Sequence, residues 1–425
     1  MSIARNLLLA AILCAIMLPA PVLAEPEPPW VRDDPYGESA RESRRAGSAS
    51  ALDQLRLLEE ALDRYRDIER RGGWKKLPTD LVMGPPYSYD CAHIEALEDR
   101  MAIEGFLVGR RARMPRFRSP VSGREIVVAP GADRRNPDSR LCKYGSELAD
   151  AVRAFQVARK VKGDGQVGGL TYAQLNRPVS EIVQILEEDV ARWRNVWLHP
   201  SGTFLLVNIP YFELYAYEDG REVLRMPVVT GQPSWQTPLF SDELEHIILN
   251  PDWGIPPSIA KDEIIPLGRR DPGYFKREGI TGSGGSLRQR PGPRNPLGRI
   301  KFMMPNQNNV YLHDTPHKNA FDYPSRSFSH GCIRLGRPMD LAYHLLRDDP
   351  QWTPSRLDDA VASRKTQRIN LARHMPVHII YSTTWVNEDG HVSIRKDVYA
   401  KNRIRVREIQ DDEPRPPRDE LDVGP

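Results

Sequence analysis

The spacing of apolar residues changes near Pro200, and that change divides the chain into a helical part and a strand-rich part. In the helical part, Leu55, Leu58 and Leu62 fall at i, i+3 and i+7 within residues 51–70. They predict an amphipathic helix that Gly72-Gly73 ends. Ile94, Leu97 and Met101 repeat the pattern over 93–104, and Leu148, Val152 and Phe155 repeat it over 146–160. Thr171 with Gln174 three residues later reads as a capping box opening a short helix. A further helix runs through Ile182, Ile185 and Val190 towards Trp193 and Trp197. Beyond Pro200 the period is two. Residues 203–209, 214–217, 226–230, 246–249, 300–304 and 309–313 read as strands, and 378–381 and 391–394 as closing strands. Residues 251–296, rich in Pro, Gly and Arg, are too long for a turn and predict an insertion or lid.

The N-terminus breaks this scheme. Leu7–Leu18 is an unbroken apolar run behind Arg5, followed by small residues before Glu25. That is the form of a cleaved export signal, and it falls short of the roughly 20 residues a membrane span needs. The predicted organisation is a signal peptide at 1–24, a flexible leader at 25–48, an N-terminal helical segment at 49–90 and a helical module at 91–178. A linker helix at 179–200, a strand-rich domain at 201–401 and a disordered acidic, proline-rich tail at 402–425 follow. The fold class is α+β multidomain. No stable membrane insertion is expected once the signal is removed.

Composition modifies this in three places. The 60 Lys+Arg nearly balance 57 Asp+Glu, for a net charge of +3, which argues against a nucleic-acid binder. That balance conceals nine arginines between residues 106 and 140, a solvated loop or a contact for an anionic polymer. Removal of the signal takes Cys14 with it and leaves Cys91, Cys142 and Cys332. Cys91 and Cys142 either pair as a disulfide or both stay reduced, and Cys332 is the odd one.

Cys332 lies in Ser329-His330-Gly331-Cys332-Ile333-Arg334, with His313 upstream in Val310-Tyr311-Leu312-His313-Asp314. A cysteine nucleophile needs a base to take its proton, and imidazole is suited to that. If the segment is a strand, His330 lies on the same side as Cys332, and His313 comes from a neighbouring strand. Gly331 gives a substrate carbonyl room to approach the amides beside Cys332 as an oxyanion hole. A buried structural cysteine is one competing reading. Another is a zinc site of His313, His330 and Cys332, with His317.

The Ser-His-Gly-Cys segment with its upstream histidine resembles the signature of the L,D-transpeptidases, also called the YkuD family. Asn208-Ile209-Pro210, Asn250-Pro251-Asp252-Trp253 and the run Asn295–Phe302 resemble the large Gram-negative subfamily, as does Tyr311–Pro316. Residues 151–176, with Phe155-Gln156 and Asp164-Gly165, resemble the peptidoglycan-binding type 1 module. The resemblance implies a strand-rich, mixed β-sheet catalytic domain preceded by that small helical module, with 251–296 as a capping insertion. It implies Cys332 as nucleophile, His313 as general base, the Asp314 carbonyl as its orienter, His330 as site support and Gly331 in the oxyanion hole. Arg334, Ser329 and Tyr311 become candidate substrate contacts, with Arg334 facing a substrate carboxylate. No metal or organic cofactor is implied. The expected partners are peptidoglycan stem peptides in the periplasm, with 3–3 cross-linking as the reaction. Water or an outer-membrane protein amine are alternative acceptors, and a non-catalytic wall-binding scaffold is the alternative of another class.

Overall fold

The computed structural model describes residues 51–107, 141–196, 198, 202–283 and 286–403. The predicted signal and leader, nearly all of the arginine-rich segment and most of the tail lie outside the described residues. The helical part holds α1 (Gln54–Arg70), β1 (Ser88–Asp90), α2 (Cys91–Ile103), β2 (Leu141–Lys143), α3 (Ser146–Ala158), α4 (Gly169–Leu175) and α5 (Val179–Trp193). The strand-rich part opens with β3 (Phe204–Asn208), β4 (Glu213–Glu218), β5 (Arg221–Gly231) and β6 (Phe240–Leu249). An insertion with β7 (Trp253–Gly254), β8 (Ile280–Thr281) and β9 (Arg288–Gln289) follows. The chain returns as β10 (Ile300–Met303), β11 (Leu312–His313), β12 (Ser327–Ser329) and β13 (Ile333–Leu335). Helices α6 (Pro338–Leu346) and α7 (Pro354–Ala362) precede β14 (Gln367–Ile380), and β15 (Thr384–Val386) pairs with β16 (Val392–Ile394).

The main sheet is mixed, in the order β12-β5-β13-β11-β10-β6-β14-β3-β4, and a further pairing of β4 with β5 turns it back on itself. Its strands are apolar on both sides for a physical reason. In β3, Leu205 and Val207 join the core beneath α6 and α7, while Phe204 and Leu206 join a second core against α1 and α5. Side chains alternate between faces at period two, and both faces are covered, so the strand reads as a continuous apolar run rather than an alternating one.

The N-terminal helix is therefore part of the strand-rich domain's fold. Leu58, Leu62 and Tyr65 of α1 share their core with Ile182, Leu186 and Val190 of α5 and with β3 and β4. Gln54 locks the arrangement: its amide nitrogen donates to the Val386 carbonyl (2.8 Å) and its amide oxygen accepts from the Val386 N–H (3.0 Å). Buried Asp189 likewise accepts from the Thr384 amide and from the hydroxyls of Thr383 and Thr384.

Helices α2, α3 and α4 enclose a separate core of Leu97, Met101, Leu148, Val152, Phe155 and Leu175. A disulfide joins Cys91, the first residue of α2, to Cys142 in β2. The short helix starts at Gly169, with Gly168 at its N-cap, rather than at Thr171. Thr171 is buried, and its hydroxyl accepts from Gln156 Nε2 (3.0 Å), so it serves the interior and not a cap.

A buried polar cluster ties this module to the rest of the chain. Glu104 accepts from Tyr65 Oη (2.5 Å), Arg100 (2.5 Å) and Arg159, and Arg159 also donates to the Val392 carbonyl. Burial alone would raise the Glu104 pKa, but the two arginines outweigh it and bring it to about 2. A depressed carboxylate pKa stabilises the fold above its ordinary value near 4.5, and that contribution is lost as the pH falls towards about 2. Glu104→Gln would leave two guanidinium groups buried without a counter-charge, so a loss of about 3–5 kcal/mol is expected at neutral pH. Urea denaturation of the variant against the parent chain measures it; a loss under 1 kcal/mol would show that water compensates the arginines.

The insertion is an ordered subdomain. Strands β7, β9 and β8 form a small antiparallel sheet, accompanied by helical turns at Pro257–Ile259 and Ile265–Arg270, with a π-helical segment at Ala260–Ile264 between them. Trp253, Ile255, Ile259, Ile264, Leu287 and Leu297 make its own core.

Candidate active site

The site is built where β10, β11 and β13 lie side by side. β11 runs parallel to β13, with His313 in register with Arg334, and antiparallel to β10, with His313 in register with Lys301. Residues in register project to the same face, so Lys301, His313 and Arg334 form one row across three strands. One step beyond the paired register, Tyr311 falls alongside Cys332.

His313 is fully buried, and its two ring nitrogens have different surroundings. Nδ1 lies 2.5 Å from the carbonyl oxygen of Asp314. A carbonyl only accepts, so Nδ1 carries the proton and Nε2 presents a lone pair. Nε2 is buried and has no hydrogen-bond partner among the described residues. Burial pushes the His313 pKa well below 6.5, Arg334, Lys301 and Lys318 add to the shift, and the Asp314 carbonyl opposes it. The ring therefore rests neutral, as a general base must.

Asp314 is held in turn. Its Oδ2 accepts from the Arg299 amide (2.8 Å) and its Oδ1 from Lys318 Nζ (2.7 Å). Gly298 approaches this carboxylate so closely, with φ +59°, that any side chain there would overlap it. The turn Asn295–Arg299 thus fixes Asp314, on whose carbonyl His313 rests.

Cys332 is buried and is the free cysteine among the described residues. It lies in a turn between β12 and β13 rather than on a strand, because Gly331 adopts φ +116°, which only glycine tolerates readily. The i, i+2 reasoning that put His330 beside the thiol therefore does not apply. His330 Nε2 instead pairs with Glu263 Oε1 of the insertion (2.8 Å), and its ring meets the edge of Trp235. Burial raises the Cys332 thiol above its ordinary value, opposed by hydrogen bonds from the Tyr311 backbone and phenol and by the charges of Lys301 and Arg334. At rest the thiol points to the Asn309 carbonyl at 3.9 Å.

Three expected contacts have other roles in this geometry. Ser329 is fully buried; its hydroxyl donates to the Cys332 carbonyl (2.5 Å) and accepts from the Gly331 amide (3.1 Å). Those two bonds close the turn that carries Cys332. The same bond occupies the Gly331 N–H expected in the oxyanion hole, and the Gly331 carbonyl accepts from Thr237 Oγ1 (2.9 Å). Arg334 is 2% exposed, and its charge helps to lower the His313 pKa. Tyr311 is half-buried, lies alongside Cys332 and packs against the insertion's core.

Lys301, Glu263 and Asn309 also lie at or near this site, outside the motif that carries Cys332. Lys301 had a detectable signal: it interrupts an apolar strand on the face opposite Ile300 and Phe302. Among the described residues, no group of three or more His, Cys, Asp or Glu side chains is arranged to hold a metal ion. His330 Nε2 is taken by Glu263 and His313 Nδ1 by the Asp314 carbonyl.

Residues 202–354 match the YkuD family, the L,D-transpeptidase catalytic domain. A Haemophilus influenzae protein provisionally named an L,D-transpeptidase is 31% identical over 252 residues, covering 54% of this chain; the chain spans about half (50%) of that relative's length. Similar solved structures include an L,D-transpeptidase from Mycobacterium smegmatis, at 14% identity, TM-score 0.23, and 42% and 58% of the two chains. The ertapenem-acylated catalytic domain of an E. faecium L,D-transpeptidase is 15% identical, with TM-score 0.24, over 43% of this chain and 100% of the other. Overlaps this loose add no weight; the family match and the placement of Cys332 and His313 within it do. Over residues 202–354, the strand-rich part of this chain is thus similar to the L,D-transpeptidase catalytic domain of the YkuD family.

Proposed function

We propose that this chain is a periplasmic L,D-transpeptidase that forms 3–3 cross-links between peptidoglycan stem peptides through a thioester on Cys332. The observation that carries the reading is the state of His313: neutral, buried, fixed through Nδ1 on Asp314 and open at Nε2. As donor binds, the Cys332 thiol turns from Asn309 and gives its proton to His313 Nε2. The thiolate attacks the carbonyl of the third stem residue. The carbon–nitrogen bond to D-alanine breaks, and the imidazolium returns its proton to the leaving amine. A thioester remains. The side-chain amine of a second stem then attacks it, losing a proton to His313 and releasing the thiol.

The insertion favours transfer over hydrolysis, because it places an ordered surface, through Glu263 and His330, at the nucleophile's turn. A covered site excludes water that would consume the thioester. The helical module with residues 151–176 serves as a wall-binding unit in this reading, rigidly attached through the Glu104 cluster. Mass spectrometry of the purified protein incubated with tetrapeptide muropeptides tests the proposal. Release of D-alanine with formation of 3–3 dimers is expected. D-alanine release without dimers would assign a carboxypeptidase, and unchanged muropeptides would overturn the reading.

A further inference from the structure

We infer that Lys301 is a specificity-determining residue of this site: its ammonium receives a donor carboxylate adjacent to the scissile carbonyl. The inference rests on the transpeptidase reading and deepens it. Lys301 is the outer member of the row formed with His313 and Arg334. Its Nζ lies 3.6 Å from the centroid of the Tyr311 ring, and Tyr311 falls alongside Cys332 in the β11–β13 pairing. One aromatic ring thus separates the ammonium from the nucleophile.

The other cations near the site are committed. Arg334 is enclosed at 2% exposure, Lys318 holds Asp314, and Arg288 pairs with Asp252. Lys301 is half-buried, and among the described residues its ammonium has a ring face as partner but neither an ion pair nor a hydrogen-bond acceptor. A partly desolvated charge without an acceptor is costly, and a substrate anion satisfies it. Burial lowers the Lys301 pKa, with Cys332 and Asp252 opposing the shift, as expected of an ammonium that lacks a close carboxylate.

The donor carries anions at the right range. The carboxylate of the leaving D-alanine is three bonds from the scissile carbonyl carbon, and a diamino acid at the third position adds a second carboxylate on its side chain. Both offer the same chemistry to an ammonium, and the test separates them. Cation–π contact with Tyr311 keeps the ammonium directed while leaving its N–H groups free for a carboxylate.

The experiment measures the acylation rate of the full chain with three synthetic tetrapeptide donors: the free acid, the C-terminal carboxamide and the side-chain carboxamide. In the parent chain, kcat/KM should fall roughly 10- to 100-fold with one of the two amides, which identifies the carboxylate recognised. Lys301→Met should be slower on the free acid by a similar factor and no longer distinguish it from that amide. Lys301→Arg should retain the distinction, and its melting curve guards against a folding defect. A Lys301→Met variant that still discriminates as the parent does would overturn the inference. So would equal slowing on all three donors with a shifted pH profile, since Lys301 would then act only on the thiol. A parent chain that is acylated by none of the donors would sink the transpeptidase reading along with this one.

Discussion

Cys332→Ala is expected to stop acylation and cross-linking while leaving the fold intact. Loss of a nucleophile costs roughly 10⁴-fold or more, because the covalent route itself disappears. Alanine retains the small side chain in a turn that is held by Ser329, Thr237 and Gly331 rather than by the sulfur. The residual cavity is the size of one sulfur atom, a penalty of about 1 kcal/mol. Intact-protein mass spectrometry after incubation with a carbapenem or a tetrapeptide donor measures the result. The parent chain should gain one adduct mass and the variant none. An undiminished adduct on the variant would place the nucleophile elsewhere.

His313→Ala should slow acylation about 10²- to 10⁴-fold, the range of a positioned general base, and His330→Ala should slow it far less. The reverse order would exchange their roles. The pH dependence follows from the signs of the two shifts. His313 must be neutral to accept a proton, and its pKa lies well below 6.5. Activity should therefore persist as the pH falls through 6.5 and decline only at lower pH. The thiol's pKa lies above 9.0, so almost no thiolate stands ready at neutral pH. Iodoacetamide should alkylate Cys332 slowly at pH 7 and faster as the pH rises beyond 9. An alkylation rate already at its plateau at pH 6 would instead indicate a standing thiolate–imidazolium pair.

The proposed nucleophile and base and the helix–strand division each leave a local trace in the sequence: a motif, a spacing, a change of period. What was missed depends on register and burial. The apolar alternation predicts a strand at 378–381, whereas β14 spans Gln367–Ile380. Its first half carries Arg368, Asn370 and Arg373 on an exposed face, a register shift interrupts it between Asn370 and Met375, and Pro376 argues locally against a strand. Arg334 follows the motif by two residues and looked available to substrate. Only the parallel pairing of β11 with β13 shows that its side chain is enclosed. Glu263 reaches His330 from a segment whose Pro, Gly and Arg content concealed a folded subdomain. The amide of Gly331 is spoken for by a hydroxyl two residues away, a detail that no periodicity encodes.

The bond between Cys91 and Cys142, 51 positions apart, makes that stretch a closed covalent ring that contains the arginine-rich segment. A single backbone cut anywhere within the ring would leave one molecule, still joined through sulfur. The catalytic domain would stay tethered to α1, with which it shares a core, even if the ring were opened in this way. Proteolysis within the arginine-rich segment would thus leave the helical module covalently joined to the strand-rich domain.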